Sequence, residues 1–494
     1  MRTQNNRKSS PDAGATPASQ IKHLIVLMLE NRSFDHMLGY SGIENVEGVW
    51  DKKLSNQDKD GNPYYVECNA ASVGELGDPG HDYEDVYKQM FYRPTENDTG
   101  ATEPTMLGFA ESYRTYSDEP GKVLQCYDPG DLQVLTSLAK NFAVCDHWFS
   151  SVPGPTLPNR LFTHAGTSKG RLDNSLEWLG ASPTIYEVLD AANVSSTIYA
   201  DGWTAAATIP NLLSHQDQFF GTLDDFYDDC ADNNLPGYCF LEPRYSSGVE
   251  EGTFRPQNDQ HPDSDINEGE HLIYSIYKAI RSNRKVWEHS MLVIVYDEHG
   301  GLYDHVAPPV AIQPRHEDIA TNPPDPPLPP FHFDRYGIRV PAVVVSPYTP
   351  HCVCKKTFDH TSLIATARKL LCPDKPTDDT LGKRAMMANT LDVLLTQDGP
   401  RNEHFEFAPN PAAQPPRKPD KLNHLQIDHL RQAYHVNLKL LPRLQIKPNQ
   451  KWMECLNGQR NKYDMCDHIS VEEADHYVRS VYAVARNQKQ KESP

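Results

Sequence analysis

Glu30 and Asn31 stand side by side where the apolar run 24–29 ends, within LIVLMLENRSFDHM. A carboxylate and an amide carbonyl so placed are oxygen donors suited to a hard divalent cation. They would serve equally well as caps for a following helix. A second acidic pair, Asp297 and Glu298, closes another apolar run, MLVIVY, and is followed by His299, Gly300 and Gly301. Adjacent carboxylates repel one another, so a positive group is expected beside them. A bound cation is the economical choice, unless the pair sits in a solvated loop. The third feature is Thr156, in SVPGPTLPNRLFTHA. Pro153, Pro155 and Pro158 restrict the backbone on both sides of it, and a helix is expected over 160–165. A hydroxyl held rigidly just ahead of a helix has the layout of an exposed nucleophile; a threonine there is also an ordinary N-cap.

The elements that must position these groups follow from hydrophobic patterning. The short unbroken apolar run 24–29 reads as a buried strand of a parallel sheet, and MLVIVY and VPAVVVS as further buried strands. In open α/β sheets ligands bind outside the carboxyl ends of such strands, where Glu30 and Asp297 fall. Helices are expected after His81 (Val86 and Met90), after Asp131 (Leu132, Leu135 and Leu138), after Ser182 as cap with Pro183 at the first position, and through Leu272, Ile273, Ile276, Tyr277 and Ile280. A strand is expected over 197–200, with Asp201 directly after it. FDHTSLIATARKLL opens a further helix with Asp359, His360, Thr361 and Ser362. The acidic, turn-rich segment 215–260 lacks EF-hand spacing and reads as a solvated insertion. NPPDPPLPP reads as an extended loop. The sequence therefore implies an α/β core over 21–400, a disordered tail over 1–20, a Pro-rich linker over 401–420 and a helical extension over 421–494. The last helix of that extension opens with a capping box, Ser470 with Glu473.

Composition narrows the function. A formal net charge of −20 argues against nucleic-acid binding, which needs clustered Lys and Arg, and against a purely electrostatic hold on anionic membranes. No stretch approaches the ~18 apolar residues of a membrane span, so membrane contact would be at most peripheral. The first twenty residues carry no secretory pattern, which favours the cytoplasm; a mature secreted chain would have lost its signal. The ten cysteines show no zinc-ribbon spacing. Cys230 and Cys239 could close a small loop, and Cys352 and Cys354 flank one valine.

ENRSFDHM, PGPTLPNR, HPDSDINEGE and YDEHGGLYDHVAPP, in that order, resemble the motifs of the phosphoesterase family of non-specific phospholipases C and related acid phosphatases. The resemblance spans about 21–372. It implies an alkaline-phosphatase-like core, a largely parallel sheet between helices. It implies Glu30, Asn31, Asp297 and Glu298, with Thr156, as ligands of one divalent metal ion, and Thr156 as a nucleophile that becomes phosphothreonine. His81 and His261 are implied as the histidines that contact the phosphoryl oxygens or assist the leaving group. All-oxygen ligands favour calcium, magnesium or manganese. Asp35, His36, His299 and His305 are expected to support these groups. The implied partner is a phosphorylated small molecule or a phospholipid head group. Phospholipase C-like hydrolysis of diesters leads; the alternatives are an acid phosphatase acting on monoesters and a silent phospho-ligand-binding protein.

Overall fold

The computed structural model describes residues 16–488, apart from short stretches of which the longest are 95–102, 175–181, 321–327, 413–420 and parts of 440–467. In chain order the strands of its main sheet are β1 (His23–Leu29), β2 (Ala143–Cys145), β3 (Ser196–Ala200), β4 (Phe220–Gly221), β5 (Tyr238–Glu242), β6 (Ser290–Tyr296), β7 (Ala342–Val345) and β8 (Cys352–Cys354). Across the sheet they lie β8-β2-β7-β6-β1-β5-β3-β4. All neighbours pair in parallel except β7, which runs antiparallel to both β6 and β2. This is the α/β architecture expected from the apolar runs. Strands β1 and β6 sit at its centre because aliphatic residues on both faces leave no side for water: Leu24 to Leu29 and Leu292 to Tyr296 are at most 1% exposed. Each such side chain removed from water contributes about 1.5–3 kcal/mol.

The helices are α1 (Phe34–Leu38), α2 (Tyr83–Phe91), α3 (Gln133–Asn141), α4 (Thr156–Ala165), α5 (Ile266–Ser282) and α6 (Thr361–Leu371), of which α2 packs through Val86 and Met90 into a separate cluster with Phe109 and Val123. Helix α5 packs on α3, and α4 packs on α6. The C-terminal extension adds α7 (His424–Lys439) and α8 (Val471–Gln488), which pack on one another. The capping box that opens α8 is present, Ser470 Oγ accepting from Glu473 N–H at 3.2 Å.

Four expectations need correction. Segment 215–260 is no solvated insertion: it carries β4 and β5, and β5 is buried throughout beside β1. Its apolar run is only YCFL, too short to stand out between acidic turns. The helix expected to be capped by Ser182 begins at Ile185, with Thr184 and Glu187 forming its capping box. Cys230, Cys239, Cys352 and Cys354 are free, and the disulfide joins Cys455 to Cys466 instead. The segment 401–410 is docked, with Phe405 and Phe407 packed against the core rings Phe142 and Tyr277; most of NPPDPPLPP lies outside the described residues. Among the described residues no helix is long and apolar enough to cross a membrane.

Candidate active site

The register of β1 on β6 sets Leu29 opposite Tyr296, so Glu30 and Asp297 leave the sheet side by side. Asn31 then takes a left-handed backbone, φ 53°, which Asn tolerates better than most residues. That turn aims Asn31 N–H at Asp297 Oδ1, 3.0 Å away. Gly300, also left-handed, packs so closely on it that a Cβ there would meet Asn31 O at 2.2 Å.

Thr156 is the first residue of α4, not part of a loop ahead of it. The helix starts earlier than expected because Pro155 supplies an extended N-cap backbone and Pro158 falls in the first turn, where proline is tolerated. Thr156 does not cap the helix. Its Oγ1 lies 3.3 Å from Glu30 Oε2 and 3.3 Å from Asn31 Oδ1, so the three residues meet from segments over a hundred positions apart. Nor are Asp297 and Glu298 solvated; both are fully buried. Glu298 Oε2 accepts from Gly300 N–H at 2.8 Å, while Oε1 has no hydrogen-bond partner among the described residues.

The positive group expected beside the acidic pair is present in the chain itself. Arg160 lies one helical turn beyond Thr156 and is fully buried, with Nη2 3.2 Å from Glu30 Oε1, Nη1 3.0 Å from Glu242 Oε2 and Nε 3.3 Å from Asp297 Oδ2. It also donates to Leu29 O at 3.2 Å. Sequence reasoning passed over Arg160 and Glu242, although spacing of four on a helix puts Arg160 on the same face as Thr156. Burial, opposed by Arg160 and reinforced by Asp297, holds the Glu30 carboxyl well above its ordinary pKa. Asp297 is buried too, yet Arg160 and the N–H groups of Asn31 and Glu298 pull it below the usual range.

His81 and His261 come together across Asp78. Asp78 Oδ1 is 3.7 Å from His81 Nδ1 and 3.5 Å from His261 Nε2. His81 Nδ1–H donates to Pro79 O at 2.7 Å, and His261 Nδ1 to Asp263 Oδ1 at 2.6 Å. Burial pulls both rings down, but carboxylates outweigh it: Glu298 and Asp78 lift His81 to about 9, and Asp263 and Asp78 raise His261 well above its ordinary value. The supporting residues fall behind this layer. His36 Nε2 meets Arg32 Nη1 at 2.8 Å, and His299 bridges Glu298 (3.3 Å) and Gln89 (2.7 Å). Asp35 joins Arg339 (3.0 Å) and His305 (2.5 Å). Asp201 instead pairs with Arg244 at 2.6 Å.

Two places could be weighed for a metal ion. Ligand atoms of Asp35, Asp304 and His305 lie within 4.8 Å of one another. Their charge is already balanced: Arg339 bonds both carboxylates and Lys52 Nζ lies 2.6 Å from His305 Nε2. The set Glu30, Asn31, Thr156, Asp297 and Glu298 fits better. It offers only oxygen donors, its three carboxylates exceed the single charge of Arg160, and Glu298 Oε1 is buried without a hydrogen bond among the described residues.

The family model described as the Phosphoesterase family matches residues 21–371. Non-specific phospholipase C3 of Arabidopsis thaliana is 33% identical over 419 residues, covering 80% of this chain and 77% of that protein. Non-specific phospholipase C5 of the same plant is 35% identical over 418 residues, covering 79% and 77%. A solved structure from Vibrio parahaemolyticus, described as a protein in the alkaline phosphatase superfamily, aligns over 53% of this chain and 66% of its own, with 10% identity and a TM-score of 0.31.

Proposed function

This chain belongs to the Phosphoesterase family and hydrolyses phosphoric esters; from that premise we propose that it acts on phospholipid-type phosphodiesters through a covalent phosphothreonine at Thr156. The observation that carries the reading is the seat of Thr156 Oγ1, 3.3 Å from both Glu30 Oε2 and Asn31 Oδ1 at the carboxyl ends of β1 and β6. A threonine hydroxyl is a weak nucleophile until a base or a cation activates it. The names of the Arabidopsis relatives support a phospholipid diester as substrate.

In this reading Glu30, Asn31, Asp297 and Glu298, together with Thr156, hold one divalent cation. When bound, it lowers the pKa of the threonine hydroxyl and offsets charge on phosphoryl oxygens. Thr156 Oγ1 passes its proton to Glu30 Oε2, to which it already donates, and attacks phosphorus; the new Oγ1–P bond forms as the P–O bond to the diacylglycerol breaks. His81, protonated and with Nδ1 already engaged by Pro79, gives the leaving oxygen its proton from Nε2. The His261 imidazolium, held by Asp78 and Asp263, adds positive charge where phosphoryl charge builds. Water, giving a proton to the now neutral His81 Nε2, then attacks phosphorus and breaks the Oγ1–P bond, releasing the phosphorylated head group while Thr156 Oγ1 takes back its proton from Glu30. Arg160 keeps Glu30 and Asp297 in place throughout, anchored from below by Glu242.

The test compares a chromogenic phosphorylcholine diester with the matching phosphate monoester, each with and without a chelator. Expected are preference for the diester, its loss on chelation, and rapidly quenched enzyme carrying one phosphoryl-bearing adduct on the peptide containing Thr156. Preference for the monoester would replace the diesterase assignment with an acid phosphatase at the same centre. Full turnover by Thr156→Ala would remove the phosphothreonine.

A further inference from the structure

His261 stands on a turn that the chain holds in an unfavourable shape. Gln260, just before it, is fully buried with φ 66°, in the left-handed region that residues carrying a Cβ rarely adopt. Such a residue persists only where its surroundings over-determine it. Gln260 Oε1 accepts from the hydroxyl of Tyr296, the last residue of β6, and Gln260 Nε2 donates at 3.0 Å to Ile266 O, at the start of α5. Gly269 leaves room for this side chain: a Cβ there would lie 2.0 Å from Gln260 Cγ.

The backbone of the same turn is taken up by one short segment, Glu30 to Arg32. Glu30 N–H donates to Asp259 O at 2.9 Å, Arg32 Nε to Gln260 O at 2.6 Å and Arg32 Nη2 to His261 O at 3.3 Å. Successive residues of an extended chain alternate in direction; the left-handed turn at Gln260 breaks that alternation, and three consecutive carbonyls face the end of β1. Arg32 is fixed in its turn. Its backbone N–H donates to Glu298 O at 3.0 Å, its guanidinium lies 5.6 Å from the Tyr127 ring, and Nη1 donates to His36 Nε2 at 2.8 Å. Burial and the guanidinium hold the His36 ring well below its ordinary pKa, so it is neutral. Arg32 is thus a fully buried cation whose hydrogen-bond acceptors, among the described residues, are neutral. Burying a charge in this way is costly, and its rigid fork is spent on two successive carbonyls of the His261 turn.

We propose that Arg32, acting through the left-handed Gln260, is a positioning residue for hydrolysis: it ties the His261 turn to the strand end that carries Glu30 and Asn31, and so fixes the imidazolium relative to Thr156 Oγ1. The nucleophile and the group that meets phosphoryl charge come from segments far apart in the chain, and Arg32 is the side chain that bonds one segment to the other. The inference rests on the role given above to His261.

Two substitutions test it. Arg32→Lys keeps the buried charge but, as a single ammonium, loses the fork that spans two carbonyls. Gln260→Gly suits a left-handed backbone and removes the anchors to Tyr296 and Ile266, so the turn is freed while relief of strain offsets the lost bonds. In each, kcat on the chromogenic phosphorylcholine diester should fall about tenfold or more with KM little changed, as expected when a misplaced group acts only in the transition state. The thermal midpoint of Gln260→Gly should stay at the wild-type value. Added to His261→Gln, either change should cost less than about threefold more, because the group it positions is already gone. A readout independent of turnover is the imidazole ¹⁵N and N–H signals of His261, assigned with His261→Gln. They should shift in Gln260→Gly. Wild-type kcat in either variant, a fall in kcat that only tracks a lowered thermal midpoint, the full loss repeated on the His261→Gln background, or unmoved His261 signals would each overturn the proposal. If Arg32→Lys does not fold, Gln260→Gly decides alone. Absence of turnover in the wild-type protein would instead defeat the proposed function, and the His261 signals would still decide this inference.

Discussion

Replacing Arg160 with Met tests how the buried acidic centre is held together. The side chain keeps most of its volume, so the change is chiefly one of charge. Three carboxylates, Glu30, Asp297 and Glu242, lie 3.0–3.3 Å from the guanidinium, all fully buried, and the guanidinium also lies over the Tyr245 ring at 5.1 Å. Removing one partner from a buried ion pair costs about 3–5 kcal/mol, because the remaining charge is left in a medium that cannot solvate it. With three carboxylates sharing one arginine, the cost should reach that range at pH 8. The loss should shrink at pH 5.5, since orphaned carboxylates take up protons and each unit of pKa shift is worth about 1.4 kcal/mol. Glu30, already held above its ordinary value by burial, would be protonated first. The assay is urea unfolding with chelator present, for wild type and Arg160→Met at both pH values. Glu242→Gln and the double variant complete a cycle whose coupling should exceed about 1 kcal/mol. A loss below about 1 kcal/mol at pH 8, or one that does not depend on pH, would refute the account of Arg160 as the counter-charge.

Three further outcomes are expected. Burial pushes Glu270 from 4.5 up to about 8, against the Val134 and Leu135 N–H groups that bond it. The folded protein therefore binds more protons than the unfolded chain between those values, and stability falls as pH rises through 4.5–8; Glu270→Gln, which still accepts both N–H groups, should flatten that slope in urea-midpoint measurements. Gly300→Ala places a Cβ 2.2 Å from Asn31 O on a left-handed backbone, which should cost about 1–3 kcal/mol and, by displacing Asn31 from Thr156, lower kcat about tenfold or more; wild-type kinetics would contradict it. Cys455→Ser opens a disulfide between residues 11 apart, a loop-closure effect of about 3 kcal/mol. Because Arg431 of α7 donates to Cys455 O at 3.1 Å, faster amide exchange should appear first in His424–Lys439.

What the sequence determined by itself is the part governed by local patterning. Unbroken aliphatic runs of six or so residues rich in β-branched side chains read as buried strands, so β1 and β6 and the polar residues at their ends were legible, as were α3 and α5 from apolar residues at helical spacing. The four motifs and their order were enough to place the chain among phosphoesterases. Tertiary structure decided what depends on partners distant in the chain. It set β5 beside β1, where acidic flanks had hidden a short apolar run. It placed Arg160 where the sequence suggested only a bound cation, since charge balance in a buried site is a sum over segments that no local window contains. It also brought Arg32 to the carbonyls of Gln260 and His261: a hydrogen bond is specified by distance and direction, and its two partners leave no mark on each other's surrounding sequence.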